Sequence, residues 1–317
     1  MGGIGRSSGK LILFGEHAAV YGHPAVGVSL PEGTTVHLGD AALPGWDLGS
    51  IAMEDREGIR AILARLEDAL PGLAARGRCA VQIESGIARK AGFGSSAALC
   101  GAFARAALAH AGEDGDAGGD LTRAWTLAHD AERIFHGTPS GVDTGLSLLG
   151  GMCVLRPRPP ELPEFWRVAG RALHLVVGAV PRDAACAALV GSLAARVKSG
   201  DRAARTSIEA LGRIAADAAR ILLSDASAIN EAFGILAGRA MDQLRAIGLS
   251  TPELDQLLEA AKAAGALGGK LSGAGAGGAF FAVARDRPTA SLIVSRLESA
   301  AAAGGLALAS PLRVIQA

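Results

Sequence analysis

The chain has 317 residues, of which 50% are hydrophobic and 44 are glycine, a glycine content about twice the ~7% of an average protein. Its 31 basic residues balance its 31 acidic residues, so neither nucleic acid nor an anionic membrane surface is an expected partner. The dispersed cysteines and the lack of an apolar run of about 18 residues predict a reduced, cytoplasmic protein without a membrane span, and the length predicts roughly two domains.

The first half of the chain is predicted to begin with strands and to continue mainly as helices. Apolar residues on both faces of the segment 9–14 indicate a strand inside a sheet, and residues 55–70 have the apolar spacing of an amphipathic helix. Residues 97–111 are almost free of polar side chains, which is typical of a buried helix. The predicted strands are 9–14, 25–30, 34–38, 79–84 and 152–156, and the predicted helices are 55–70, 97–111 and 121–136.

A proline cluster separates this half from the second. It consists of Pro157, Pro159, Pro160 and Pro163, and it predicts a boundary between domains 1–160 and 161–317. The second half is predicted to mix strands at 173–180, 266–272, 279–283 and 306–315 with alanine-rich helices between 184 and 264 and a helix at 289–303. The chain is therefore predicted to be an α+β protein.

A glycine-rich turn precedes the helix predicted at 97–111. It reads Gly92-Phe93-Gly94-Ser95-Ser96, in which the glycines let the backbone approach a phosphate and either serine can cap a helix whose first amides face an anion. The turn is neither a Walker loop nor a GxGxxG dinucleotide fingerprint. It predicts a phosphate-binding loop, with an ordinary helix cap after a flexible turn as the alternative.

A second glycine-rich segment joins two predicted strands in the other half. Between Lys270 and Gly278 the chain carries glycine at 273, 275, 277 and 278, which is more than a hairpin turn needs. Close approach of the backbone to a ligand favours such a segment, and a low-complexity turn is the alternative.

Three charged residues stand where a ligand could meet them. Glu132 shares an apolar helix stripe with Trp125 and Ala128, so its carboxylate needs a cation, either a metal ion or an arginine. Asp143 follows a Pro-Ser-Gly turn, where helix capping is the favoured role for the loop taken alone. Lys10 lies at the mouth of the first core strand, where its ammonium is either solvated or placed for a phosphate or a carboxylate.

Four segments resemble, in the same order, the motifs of a known enzyme family. Residues 9–22, 92–98, 136–143 and 270–278 resemble those of mevalonate kinases, within the superfamily of galactokinase, homoserine, mevalonate and phosphomevalonate (GHMP) kinases. The resemblance implies a two-domain fold, with an N-terminal domain like domain 2 of ribosomal protein S5 and a C-terminal ferredoxin-like domain with added helices. It also implies phosphorylation of the 5-hydroxyl of mevalonate with ATP and Mg²⁺, in isoprenoid biosynthesis.

The same resemblance implies roles for individual residues. Asp143 corresponds to the catalytic base that takes the substrate hydroxyl proton, and Lys10 to the lysine beside that base and the phosphates. Ser96 and Glu132 correspond to the Mg²⁺ ligands. The residues implied to bind ATP are Lys10, Gly92, Phe93, Gly94, Ser95, Ser96, Gly273 and Gly275, and those implied to bind the acceptor are Glu16, His17 and Asp143.

The chain departs from the family pattern in two places. Ala88 and Lys90 replace the proline and the first glycine that usually open the phosphate loop, and Lys90 adds a positive charge. The segment 181–186, which includes Ala184, lacks the threonine that mevalonate kinases typically carry after a proline-arginine pair. Two alternatives therefore stay open: a GHMP kinase for another small hydroxy acid, amino alcohol or sugar, and a catalytically silent ligand sensor. The expected partner is a small-molecule substrate, and the sequence is compatible with a homodimer.

Overall fold

The computed structural model describes residues 2–39, 45–76, 79–113, 121–170, 172–182, 193–224 and 228–317. Two antiparallel sheets, each packed against helices, follow one another along the chain, which confirms the predicted α+β class. Within these ranges, none of the helices is long and apolar enough to cross a membrane.

The first sheet is centred on one long strand. Its strands are β1 (Gly3–Phe14), β2 (Ala25–Gly39), β3 (Ala80–Ser85), β4 (Met152–Arg158) and β5 (Glu161–Val168). β1 pairs along one side of β2, while on the other side β4 pairs with the first residues of β2 and β3 with its last ones. β5 extends the sheet by pairing with β4.

The segments 25–30 and 34–38, predicted as two strands, form the single strand β2. Pro31 does not end the strand because it lies in a bulge. Ser8 pairs with Gly33 and Lys10 pairs with Ser29, so three residues of β2 face one residue of β1. A bulge tolerates proline, since no ladder hydrogen bond is required of its missing N–H group.

The strand β5 places the proline cluster inside a hairpin of the first sheet. β4 and β5 pair along their lengths, and Pro159 and Pro160 form the turn between them. The chain reaches the second sheet only between Val168 and His174. The boundary predicted after residue 160 thus falls within the first sheet. Proline occurs in turns as well as in linkers, so a proline cluster alone does not distinguish the two.

Five helices described in the first half pack against its sheet or against one another. They are α1 (Arg56–Ala69), α2 (Pro71–Arg76), α3 (Ser95–Ala111), α4 (Thr122–His136) and α5 (Val142–Leu149). α3 lies directly on β1: a β-carbon on Gly5 would be 2.0 Å from the carbonyl oxygen of Ala102 and 2.3 Å from the nitrogen of Ala106. Because only glycine allows this approach, the contact fixes the N-terminus of α3 beside Lys10.

The second sheet has the order β7-β8-β6-β9. Its strands are β6 (His174–Val180), β7 (Gly268–Leu271), β8 (Gly278–Ala284) and β9 (Ser310–Gln316), and its helices include α6 (Arg202–Leu223), α7 (Ile229–Ala246), α8 (Pro252–Ala263) and α9 (Arg287–Gly304). Leaving out the extra helices, the chain order is β-α-β-β-α-β, which is that of a ferredoxin-like domain.

One hydrophobic cluster spans both halves of the chain, and a second lies within the first half. The ring of Phe14, at the end of β1, packs edge-on against Phe233 of α7 and Phe281 of β8, with ring centroids 5.2 and 6.4 Å away. Edge-to-face packing of this kind is a favourable geometry for buried aromatic rings. The end of β1 is therefore held against the second half, next to the segment that starts at Gly15.

Candidate active site

A cleft of about 500 Å³ lies between the two halves of the chain. All four segments that resemble the kinase motifs contribute to its wall. Of the site residues predicted from the sequence, those that line the cleft are Lys10, Glu16, His17, Gly92, Gly94, Ser95, Ser96, Asp143 and Gly273. Phe93, Glu132 and Gly275 lie beside the cleft rather than in its wall.

The buried charges of the protein collect around this cleft. Among the residues that the structure describes, the buried lysine and carboxylate side chains are Lys10, Glu16, Glu132 and Lys270, and no arginine is buried. Removing a charge from water costs free energy unless a partner or a ligand compensates it. Such a concentration of buried charge therefore marks this place as the functional site.

Lys10 and Asp143 form an ion pair in the wall of the cleft. The Lys10 ammonium nitrogen is 3.0 Å from Oδ2 of Asp143, whose side chain is one-third exposed. The Lys10 side chain runs across Gly94, where a β-carbon would lie 2.5 Å from its Cγ atom. Asp143 does not cap α5: Gly141 is the N-cap residue, and Asp143 lies in the first turn with its carboxylate turned to Lys10.

The glycine-rich turn places the N-terminus of α3 at the cleft. Gly94 is the N-cap residue, with φ of 77° and ψ of 37°. In the described part of the chain, no side chain caps the first amides of α3, so the serine cap considered from the sequence does not form. The unpaired amides and the helix dipole together favour an anion at Ser95 and Ser96, which line the cleft.

Glu132 is buried near the glycine-rich turn without a hydrogen-bond partner. Its side chain is 1% exposed, and neither carboxylate oxygen accepts a hydrogen bond from any described residue. Burial, reinforced by the negative charge of Asp143, raises the pKa of Glu132 to about 8. His136 Nε2 lies between this carboxylate, 3.9 Å away, and the Ser96 hydroxyl, 3.2 Å away.

The chemistry of this corner fits Mg²⁺. Mg²⁺ takes oxygen ligands and is usually held by one or two protein groups together with substrate phosphates. Ser96 and Glu132 offer a hydroxyl and an uncompensated carboxylate, and the arginine partner considered for Glu132 is not found among the described residues. Within those residues, no group of three or more histidine, cysteine or carboxylate side chains forms a cage for a transition metal.

A buried ion pair joins the two sides of the cleft. The Lys270 ammonium, on β7, donates to Oε1 of Glu16 and to the carbonyl oxygen of Leu271. Burial raises the pKa of Glu16 and lowers that of Lys270, and their mutual attraction opposes both shifts. The carboxylate that the sequence assigns to the acceptor pocket is thus engaged by a lysine from the opposite half of the chain.

Two hydrogen bonds reinforce this connection. His17 Nε2 donates to the carbonyl oxygen of Ala274 at 3.1 Å, and the Ser272 hydroxyl donates to the carbonyl oxygen of Ile12 at 2.8 Å. Burial lowers the pKa of His17 to about 4, so its ring is neutral at pH 7. The segment 15–17 and the loop 272–278 are therefore held together as one wall.

Phe93 and Gly275, both predicted to bind ATP, face away from the cleft. The Phe93 ring is buried beneath the Arg313 guanidinium, 4.9 Å from its centroid, although the Phe93 carbonyl accepts a hydrogen bond from the Lys10 amide at 2.9 Å. Gly275 faces Leu249, since a β-carbon there would lie 2.9 Å from the Leu249 Cβ atom. Both residues therefore pack on the side of the loops that faces away from the cleft.

Arg182 lines the cleft although the sequence reasoning assigned it no role. Its guanidinium lies over the second glycine-rich segment, and a β-carbon on Gly278 would be 2.7 Å from its Nε atom. The same side chain reaches Gly92, whose β-carbon would be 3.4 Å from a terminal nitrogen. The sequence signal that could have pointed to Arg182 was the proline-arginine pair at 181–182. Ala184, at which the chain departs from the family pattern, lies outside the described residues.

Comparison with known proteins decides the family. The models for the N-terminal domain of GHMP kinases and for the GHMP kinase C terminus match residues 58–151 and 225–303. The mevalonate kinase of Aeropyrum pernix is 30% identical over 93% of this chain and 92% of its own. The chain belongs to the GHMP kinase family. As a GHMP kinase it is an ATP-dependent phosphotransferase, and the family predicted from the four segments is confirmed.

Other GHMP kinases are similar over about nine-tenths of their length. The mevalonate kinase of Pyrococcus furiosus is 29% identical over 90% of both chains. The crystal structure of L. major mevalonate kinase in complex with R-mevalonate is 26% identical, with a TM-score of 0.75, over 94% of this chain and 92% of that one. The two-domain GHMP kinase fold implied by the sequence is thereby confirmed.

Replacing Glu132 with glutamine tests the metal corner. We expect Glu132→Gln to raise the Mg²⁺ concentration needed for half-maximal turnover by roughly tenfold or more, because the amide keeps the shape but removes the charge. Thermal stability should not fall, since a buried uncompensated carboxylate is removed. Mg²⁺ titrations at saturating ATP check this, with Asp130→Asn, which changes an exposed carboxylate on the same helix, as the control. Overlapping titrations would make Glu132 a structural residue.

The Lys270–Glu16 pair predicts a compensating double variant. Lys270→Met leaves the Glu16 carboxylate buried and unpaired, which costs about 3–5 kcal/mol of unfolding free energy. Lys270→Met combined with Glu16→Gln removes both charges and should recover most of that loss. Chemical denaturation of the three proteins measures the difference. Equal stability of the single and double variants would show that the two charges do not depend on each other.

Proposed function

We propose that this GHMP kinase transfers the γ-phosphoryl group of ATP to the 5-hydroxyl of mevalonate, giving 5-phosphomevalonate and ADP. The observation that carries the proposal is the Lys10–Asp143 ion pair, 3.0 Å long, beside the open N-terminus of α3 and the uncompensated Glu132 carboxylate. Relatives named mevalonate kinase, similar over about nine-tenths of both chains, support mevalonate as the acceptor. By this activity the protein would act in cytoplasmic isoprenoid biosynthesis.

Asp143 is the proton acceptor in this proposal. Its carboxylate takes the proton of the acceptor hydroxyl as the hydroxyl oxygen bonds to the γ-phosphorus and the bond from that phosphorus to the ADP oxygen breaks. Lys10, 3.0 Å from Asp143, pairs with this carboxylate and places a positive charge beside the transferred group. The first amides of α3 face the phosphates and stabilise the charge that develops on them.

Ser96 and Glu132 would hold Mg²⁺ beside these phosphates. When bound there, Mg²⁺ neutralises charge on the β- and γ-phosphoryl oxygens. For the protein, the bound cation compensates a carboxylate that is 1% exposed and otherwise unpaired. The His136 ring, which lies between the two ligands, has to turn aside, and its side chain is half-exposed and free to do so.

The acceptor side of the cleft is mostly apolar. Ile12, Ala19, Val20 and Ile208 line it, with the neutral His17 ring among them. A small molecule with a hydrocarbon backbone and few polar groups fits this lining. The missing threonine in the segment 181–186 favours, as a second candidate, a different small hydroxy acid, amino alcohol or sugar as the acceptor. A silent sensor is disfavoured because the Lys10–Asp143 pair is in place.

The acceptor is tested by measuring ADP release with a panel of alcohols. Mevalonate, phosphomevalonate, homoserine and galactose are compared at equal concentration with ATP and Mg²⁺. We expect turnover with mevalonate to exceed the others. Turnover with another member of the panel and none with mevalonate would show that mevalonate is not the acceptor, and the kinase assignment would stand.

Asp143→Asn tests the proton acceptor itself. We expect kcat to fall by about 10²- to 10⁴-fold, because an amide cannot take the hydroxyl proton. The Kd for ATP should stay within about threefold of the wild-type value, since Asp143 faces the acceptor. Single-turnover kinetics and nucleotide titrations measure the two effects separately. Near-normal turnover in the variant would assign the proton acceptor to another residue.

A further inference from the structure

Lys90 adopts a backbone conformation that is unfavourable for lysine. Its φ is 59°, in the left-handed region, where glycine is preferred and asparagine is tolerated. It lies at the entrance of the phosphate loop, four residues before Gly94, and it lines the cleft. Unfavourable backbone conformations persist mainly where function requires them, so the identity of this side chain needs an explanation.

The charge of Lys90 is not used within the protein. In the described ranges, no hydrogen bond or ion pair engages its ammonium group, and its side chain is exposed to the cleft. The neighbouring Arg89 behaves differently, because it forms two hydrogen bonds of 2.7 Å with the carboxylate of Asp55. Arg89 therefore anchors the loop to the turn that precedes α1, and Lys90 is left for a ligand.

Lys10, which also lines the cleft, and Lys270, which is buried outside the cleft wall, already have partners. Lys10 is paired with Asp143 and Lys270 with Glu16, so neither contributes a full uncompensated charge. The triphosphate of ATP carries several negative charges, and binding it requires positive charge beyond the amides of α3 and a bound metal ion. Among the lysines that line the cleft, Lys90 alone has no acidic partner in the described residues.

We propose that Lys90 is a nucleotide-binding residue whose ammonium pairs with the non-transferred phosphates of ATP and ADP. The transferred phosphate has to lie beside Lys10 and Asp143, at the Gly94 end of the loop. Lys90 stands at the other end, nearer the part of the nucleotide that leaves as ADP. The inference rests on the proposed ATP-dependent activity but not on the identity of the acceptor.

The experiment measures nucleotide binding without any acceptor. Calorimetric titration with Mg²⁺ gives the Kd of ADP and of a non-hydrolysable ATP analogue for the wild type, Lys90→Asn and Lys90→Arg. Asparagine tolerates the left-handed conformation without the charge, and arginine restores the charge. Lys262→Ala, which removes an exposed lysine on α8, is the control for a change in overall charge.

We expect Lys90→Asn to weaken both nucleotides about five- to twenty-fold at 50 mM salt and by a smaller factor at 300 mM, because exposed charges are screened. Lys90→Arg should recover most of the affinity, and the melting temperature of Lys90→Asn should not fall. Unchanged affinity for ADP, or a loss that is independent of salt, would overturn the role of Lys90 and leave the kinase proposal intact. A wild type without affinity for either nucleotide would overturn both.

Discussion

Charge buried where the two halves meet is the constraint on which this cleft depends. Lys270 and Glu16, 254 residues apart in sequence, are both out of contact with water and compensate each other. Burying either charge without the other would cost free energy, because the surroundings have low polarity. The pair therefore stabilises the arrangement in which the two halves are in contact. His17 and Ser272 add hydrogen bonds at the same junction, so this wall of the cleft forms together with the interface.

The remaining buried charges explain why the cleft is suited to a charged substrate. Lys10 is balanced by Asp143, whereas Glu132 accepts no hydrogen bond from a described residue and its pKa is raised to about 8. Because of this raised pKa, the corner favours the protonated form of Glu132 when no cation is bound. A nucleotide with its divalent cation would bring positive charge, so binding would favour release of that proton.

Local chemistry was predictable from the sequence, and long-range pairing was not. The glycine turn before α3, the burial of Glu132 and most helices follow from spacing and residue type within one segment. Spacing has limits, however: Phe135 continues the apolar stripe of Trp125, Ala128 and Glu132 in sequence, yet its ring is exposed. The Lys270–Glu16 pair and the β4–β5 hairpin depend on contacts between distant segments, which a single sequence does not reveal. The family motifs supplied what spacing could not, because they identify segments that meet only in the folded chain.

The two halves of the chain contribute differently to the cleft, and the contact between α3 and β1 lies on the side of the reacting groups. The backbones of β1 and α3 are in close contact at Gly5, where a β-carbon would collide with α3, and this contact holds the N-terminus of α3 beside Lys10. The groups proposed to perform the chemistry, Lys10, Ser96, Glu132 and Asp143, all lie in the first half of the chain. The second half contributes wall residues such as Leu193 and Ile208. Substitution there can reshape the receiving surface without moving the reacting groups, which makes this fold a natural source of new acceptor preferences during evolution.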